Sequence, residues 1–419
     1  MTLKRIRTDQ VELGMFIQRL EGNWFRHPFW KAQFVLDDPV RLETLRESGV
    51  RSLWIDIARG LDCHEIHADA ASHGHLSGDP RARITTRGAS PAGRRAASLS
   101  PEIVRAERLA RATGKVVNRL FLEAQLGKHI AASDIAPVVD EIYVSIQRNI
   151  YAFNGLLQCQ CYQVHLYRQA LAISALMVAL GRTMGLSPAM AREAGMVGLM
   201  MDVGFAQLSV EGGVTDYRDL PAEFAKHHVV HGLIQLRAAG DIPATVLTGC
   251  QHHHERLDGS GYPQGLAGTS IGMLGRMAAI CVEYVGLVTG THDGDMRDPA
   301  NALCHMATLT AAYDAQIMQR LVEAVGVYPI GSFVRLRSGR LAMVVDQDGA
   351  DNALPVVRIF GTIGENGAMA EGRQFTLALG HCHGEDAIAG IADPVSLALP
   401  SLNLLRHRLM AGAIRNSGR

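Results

Sequence analysis

The chain has 419 residues, too many for one ordinary domain and enough for two or three, and 47% of them are hydrophobic, which suffices for sizeable cores. Lysine plus arginine equals aspartate plus glutamate at 41 each, so no overall field calls for nucleic acid or an anionic membrane as partner. Seven cysteines in no disulfide-framework spacing, a start (MTLKRIRTDQ) without an apolar leader, and a most apolar run, 168–182, short of the ~20 residues of a spanning helix all predict a soluble protein of the reducing cytoplasm.

Residues 1–68 read as a small α+β domain. Asp38 and Pro39 suit the N-cap and first turn of a helix that Gly49 ends, a strand follows at 50–57, and Trp24, Phe25, Phe29 and Trp30 are expected in the core. Residues 69–100 turn to Ala, Ser, Gly, Arg and Pro, which bury too little to fold and predict a flexible linker. Apolar residues at three- and four-residue spacing predict helices over 102–122 and 135–157, the first of a mainly helical domain spanning 101–325.

The next helix carries Cys159, Cys161 and His165 and continues to Gly181. Ser187 and Pro188 open another, which runs into Leu199-Met-Met-Asp202. A helix over 221–239 carries His227, His228 and His231 and stops at Gly240; Asp241-Ile-Pro243 then opens the helix that leads into His252, His253 and His254. Short alternating runs at 333–337, 341–345 and 355–360 predict a β module over 326–398, and 399–419 reads as a helical tail.

The chemistry concentrates in the later helices. Asp202 ends an apolar run and would be costly to bury without a metal or cation partner. The stretch 251–268, QHHHERLDGSGYPQGLAG, joins three histidines and Glu255 to a loop with Gly259, Gly261, Pro263, Gly265 and Gly268. Clustered imidazoles suit a divalent ion, and the glycines permit close approach of a charged ligand; a polar surface loop after a helix end is the plainer reading. A helical bundle that presents histidines and an aspartate from several elements builds metal sites in this way. His227 and His231 share a helix face and are expected toward solvent or beside the ligands, as is His252. Cys159-x-Cys161 and His381-Cys382-His383 lack the partner pair of a zinc site.

The run QHHHERLDGSGYP, with QGLAGTSI up to Ile271, resembles the signature of HD-GYP domains, metal-dependent phosphohydrolases that open cyclic di-GMP in bacterial signal transduction. His165, Leu186-Ser-Pro188, Met201-Asp-Val-Gly204 and His228-Val-Val-His-Gly232 are similar to the flanking pattern. Leu13-Gly-Met-Phe16 and His27-Pro-Phe29 resemble the small domain of unknown function that often precedes HD-GYP domains, and Tyr328–Gly339 resembles their usual ending. The resemblance implies an HD-type helical bundle between a small α+β domain and a small β module. It implies His165, Asp202, His228, His253 and His254 as metal ligands, with Asp202 and His254 also catalytic. Asp258, Gly259, Gly261, Tyr262 and Pro263 would shape the pocket for cyclic di-GMP, or a docking surface for GGDEF diguanylate cyclase domains; a homodimer is also compatible.

Four positions depart from that pattern: Met201 stands for the first histidine of the His-Asp pair, Phe205 for a lysine, Cys161 for an acid and Val282 for the last metal aspartate. The losses fall on one side of the site, where His165 and a shared Asp202 remain, whereas Asp202, His228, His253 and His254 survive together on the other. The expectation is one divalent ion, iron or manganese before zinc, or none. A degenerate domain that binds cyclic di-GMP or a cyclase with little hydrolysis is the first functional reading, and an active phosphodiesterase yielding pGpG or GMP the alternative. Glu283, next to Val282, replaces the lost aspartate only through a change of register, because neighbouring helical residues point about 100° apart.

Overall fold

The computed structural model describes residues 3–21, 34–36, 39–47, 52–62, 99–153, 155, 166–214, 216–291, 296–347, 354–363, 369–381, 386–392 and 402–416. The expected core aromatics at 24–30, Asp38, Gly49, most of the linker, Cys159, Cys161, His165, Cys382 and His383 lie outside them. The chain divides into two compact units, Met1–Ala96 and Ala97–Arg419.

In the first unit, strands β1 (Leu3–Arg7), β2 (Phe16–Glu21), β3 (Phe34–Val35) and β4 (Ser52–Asp56) form an antiparallel sheet in the order β1-β4-β2-β3, with helix α1 at Pro39–Glu47. Alternating residues place Ile6, Ile17, Leu53 and Ile55 on the inner face, and Leu45 from α1 joins Met15 and Leu36 against them. Among the described residues this cluster is built of aliphatic side chains and Met15.

The second unit is a helical bundle that carries a sheet. Its helices are α2 (Leu99–Gln125), α3 (Ala132–Arg148), α4 (Leu166–Thr183), α5 (Pro188–Met200), α6 (Gly204–Glu211), α7 (Ala222–Ala225), α8 (His228–Ala239), α9 (Ala244–His252), α10 (Met273–Thr289), α11 (Pro299–Met306), α12 (Ala315–Val325) and α13 (Leu402–Asn416). Helix α4 is buried from Gln169 to Gly181 apart from the half-buried Ala172, and α10 is buried along nearly all of its length, so these two form the centre. Among the described residues no helix is long and apolar enough to cross a membrane.

Two helices differ from expectation. Helix α3 stops at Arg148 rather than continuing to 157, because the Asn149 side chain accepts hydrogen bonds from the Tyr151 and Ala152 N–H groups and turns the chain out of the helix. The helix expected over 221–239 is two, α7 and α8, broken at Lys226 and His227. The break leaves the Ala225 carbonyl outside any helix ladder, and His228 Nδ1 binds it.

Strands β5 (Phe333–Leu336), β6 (Arg340–Asp346), β7 (Val356–Ile363), β8 (Met369–Ala378) and β9 (Ile388–Ile391) form an antiparallel sheet in the order β8-β7-β6-β5-β9, and it belongs to the same compact unit as the bundle. One buried carboxylate ties the parts together. Asp298 caps α11 by accepting from Ala300 N–H at 3.0 Å, accepts from Phe333 N–H of β5 at 2.9 Å, and meets Arg406 of α13 at 3.4 Å. Arg406 also donates to the Gly331 carbonyl at 3.0 Å. Burial pushes the Asp298 carboxyl up to about 6, against the pull of Arg406 and the two N–H donors.

Removing Arg406 leaves a buried carboxylate without its cation, so Arg406→Ala is expected to cost about 3–5 kcal/mol at pH 7.5 in urea unfolding. Asp298 takes up a proton below about pH 6, so the deficit shrinks at pH 5. An equal deficit at both pH values would mean that Asp298 is not the group Arg406 compensates.

Candidate metal centre

Four side chains from three places in the bundle converge on one point. Asp202 lies in the turn between α5 and α6, His228 opens α8, and His253 and His254 follow the end of α9. One ligand atom from each lies within 4.8 Å of all the others. Adjacent residues of a regular helix cannot share an ion; His253 and His254 do converge because α9 ends at His252.

Glycine sets the approach of α6 to α8. A Cβ on Gly204 would lie 2.0 Å from the His228 carbonyl oxygen and 2.6 Å from the Gly232 nitrogen. Only a residue without a side chain lets these backbones touch, and that contact brings His228 to Asp202.

The imidazoles are fixed by helix ends. His228 Nδ1 is 2.7 Å from the Ala225 carbonyl oxygen, and His253 Nδ1 is 2.6 Å from that of Cys250. A carbonyl only accepts, so each Nδ1 carries a proton and each Nε2 is turned into the site. The two Nε2 atoms are 3.0 Å apart, and each is 3.5 Å from Asp202 Oδ1. All three residues are buried. Burial first, and the His253 ring second, push the His228 imidazole down to about 4 against the opposing pull of Asp202, so it is neutral near pH 7.

Two ring nitrogens turned to each other beside a carboxylate form a donor set that a cation among them would join. Edges of 3.0, 3.5 and 3.5 Å match the spacing of neighbouring donors around an ion with bonds of about 2.1 Å. Three imidazoles and a carboxylate therefore fit one divalent ion.

Aromatic rings line the site. The Phe205 ring stacks on His228 with centroids 4.0 Å apart and 9° between planes, and Tyr217 packs on Phe205 at 4.9 Å. On the other side, Tyr262 stacks on His254 at 4.5 Å and 18°, with Lys226 Nζ 5.8 Å from the Tyr262 centroid. Burial and the Asp202 charge both raise the Tyr262 phenol, which stays protonated.

The glycine loop is held by Glu255, whose structural part the sequence reading missed. Its carboxylate accepts from Gln264 N–H at 2.7 Å and Leu266 N–H at 2.8 Å, and it is buried. Gly261 passes so close to the preceding turn that a Cβ would sit 2.4 Å from the Arg256 nitrogen, and Gly259 has a φ of +79°. Asp258 is exposed and accepts from the Ser260 N–H and hydroxyl, so it shapes the loop; Pro263 is exposed.

The altered positions are apolar inside the fold. Met201 is 1% and Val282 4% exposed. Glu283 does not take the place of the lost aspartate: its carboxylate accepts from the Tyr313 hydroxyl at 2.8 Å and lies 3.5 Å from Arg256. His227 is exposed, His231 faces Glu211 at 3.8 Å, and His252 is buried against Gly275; none joins the cluster. The expected ligand His165, and Cys161, fall outside the described residues.

Residues 3–135 match a domain of unknown function, DUF3391, and residues 159–317 match an HD domain. Over 366 residues, 85% of each chain, the sequence is 37% identical to the cyclic di-GMP phosphodiesterase PA4108 of Pseudomonas aeruginosa. The chain belongs to the HD-GYP family. A more distant relative is the cyclic di-GMP phosphodiesterase PdeB of Borreliella burgdorferi, 21% identical over 188 residues, 43% of this chain and 48% of that one. Among solved structures, Bd1817, an HDG"Y"P protein from Bdellovibrio bacteriovorus, aligns with 77% of this chain and 99% of its own, at 14% identity and a TM-score of 0.44.

Within this HD-GYP domain, Glu255→Ala removes the acceptor of two loop N–H groups and is expected to cost about 3 kcal/mol, with Glu255→Gln intermediate. Thermal unfolding, together with trypsin cleavage at Arg256, measures it. Unchanged cleavage in Glu255→Ala would show that the loop holds itself.

Proposed function

We propose that this HD-GYP protein binds cyclic di-GMP in the cytoplasm at the mouth formed by Tyr262 and His254 and hydrolyses it slowly or not at all. What supports this reading is the asymmetry of the site. The donors for one ion converge, while Met201 and Val282 put apolar side chains where the family pattern has a histidine and an aspartate, and Phe205 covers His228 where it has a lysine. A second ion and a phosphate-binding cation would both lack their residues.

His228, His253, His254 and Asp202 would hold one divalent ion, iron or manganese before zinc, and His165 is a further candidate ligand from its sequence position. Bound there, the ion supplies positive charge and Lewis acidity to a phosphodiester. The chain's own part is to aim His228 and His253 through the Ala225 and Cys250 carbonyls, and to offer the Tyr262 ring for stacking on a guanine base. The same loop, Asp258 to Pro263, is the candidate surface for a GGDEF cyclase domain or for a second copy of the chain.

Active hydrolysis is the second reading, favoured by the 37% identity to a named cyclic di-GMP phosphodiesterase. Purified full-length protein with manganese or iron(II) decides between them, with cyclic di-GMP binding and product followed together. Binding weakened about tenfold by Tyr262→Ala, with turnover near background, is expected. Rapid turnover abolished by His254→Ala would overturn the binding reading.

Metal analysis is expected to give about one ion per chain, lost in His253→Ala, because one set of four donors is complete. Met201→His combined with Val282→Asp should raise both the ion count and turnover. Two tightly held ions in the unaltered protein would contradict this.

A further inference from the structure

The C-terminal sheet holds a cation with no counter-charge among the described residues. Arg358 on β7 is 6% exposed, yet its guanidinium meets only neutral acceptors, Thr376 Oγ1 at 3.3 Å and Gln374 Oε1 at 3.5 Å, both on β8. Its Nε is buried and has no partner, and among the described residues no carboxylate lies within ion-pair distance. A buried guanidinium normally has a carboxylate or several strong acceptors, since desolvating an unpaired charge is costly.

The surroundings add positive charge. Helix α13 crosses this face, and Gly412 lies over the guanidinium so closely that a Cβ there would sit 2.5 Å from an Arg358 terminal nitrogen. Arg415 and Arg408 fall three residues after and four before Gly412, on the same side of α13. Arg408 reaches Glu371 at 3.8 Å, whereas Arg415 has no hydrogen bond or ion pair among the described residues and its charge disfavours that of Arg358. The last turn of α13 offers only the partial negative charge of a helix C-terminus, which does not neutralise two guanidiniums.

We propose that Arg358 and Arg415, with Thr376 and Gln374, form a binding site for a phosphate-type oxyanion between α13 and the β7–β8 edge of the sheet. The groups suit that chemistry: the planar fork of Arg415, the Thr376 hydroxyl hydrogen and the Gln374 amide as donors, with the buried Arg358 guanidinium behind them as uncompensated charge. Strand β8 is the edge of its sheet, and Thr376 is exposed there, so the site opens to solvent. Gly412 admits the Arg358 head under the helix. The site is separate from the metal centre and does not depend on the proposed function.

The test is titration of chelator-treated full-length protein with inorganic phosphate, read by thermal unfolding and calorimetry, with chloride at matched ionic strength as reference. A saturable rise in melting temperature specific to phosphate is expected. Its apparent Kd should rise about tenfold in Arg415→Ala, an exposed position that leaves the fold intact, and the response should vanish in Arg358→Met. No saturable response to phosphate in the unaltered protein, or one unchanged by Arg415→Ala, would overturn the proposal; the second comparison stands even where Arg358→Met does not fold.

Discussion

The metal centre rests on two imidazole rings turned toward each other in a dry interior. His228 and His253 each give the Nδ1 proton to a carbonyl left over at a helix end, and this aims both Nε2 atoms at Asp202. The helix breaks at Lys226 and at His252 hold the two rings in this arrangement, which a cation among them would stabilise. The touching backbones at Gly204 and Gly232 make the breaks meet. A change in any of these contacts misaims the whole set.

The same bundle has been made apolar on one side of this centre. Met201 and Val282 are packed inside, and Phe205 lies flat against His228. An imidazole stacked on one face by phenylalanine is well oriented and poorly hydrated, which favours ligand strength at that ring over access to a second ion. Tyr262 and His254 form the more open wall, with Lys226 near the tyrosine ring.

Polar groups elsewhere follow a related rule, in which a buried charge organises the elements that satisfy it. Asp298 joins α11, β5 and α13 because its acceptors need three donors, and Glu255 shapes the glycine loop because its oxygens need two. Arg358 is the exception, a buried cation whose neighbours among the described residues are neutral or positive. That imbalance sets it apart from the structural arginine Arg406.

The sequence by itself determined the helical class, the terminal sheet and the family through HHERLDGSGYP, and it singled out Asp202, His228, His253 and His254, which the fold brings together, because periodicity and a long local signature survive without tertiary information. It also located the apolar replacements at Met201, Phe205 and Val282. Only the tertiary structure decided that one helix becomes α7 and α8 to free the Ala225 carbonyl, that Glu283 turns to Tyr313 and Arg256, and that Glu255 clamps the loop. These depend on which backbone groups lack partners once the elements pack, and no spacing in the chain encodes that. The same holds for Arg358, whose missing counter-charge exists only when α13 lies across β7.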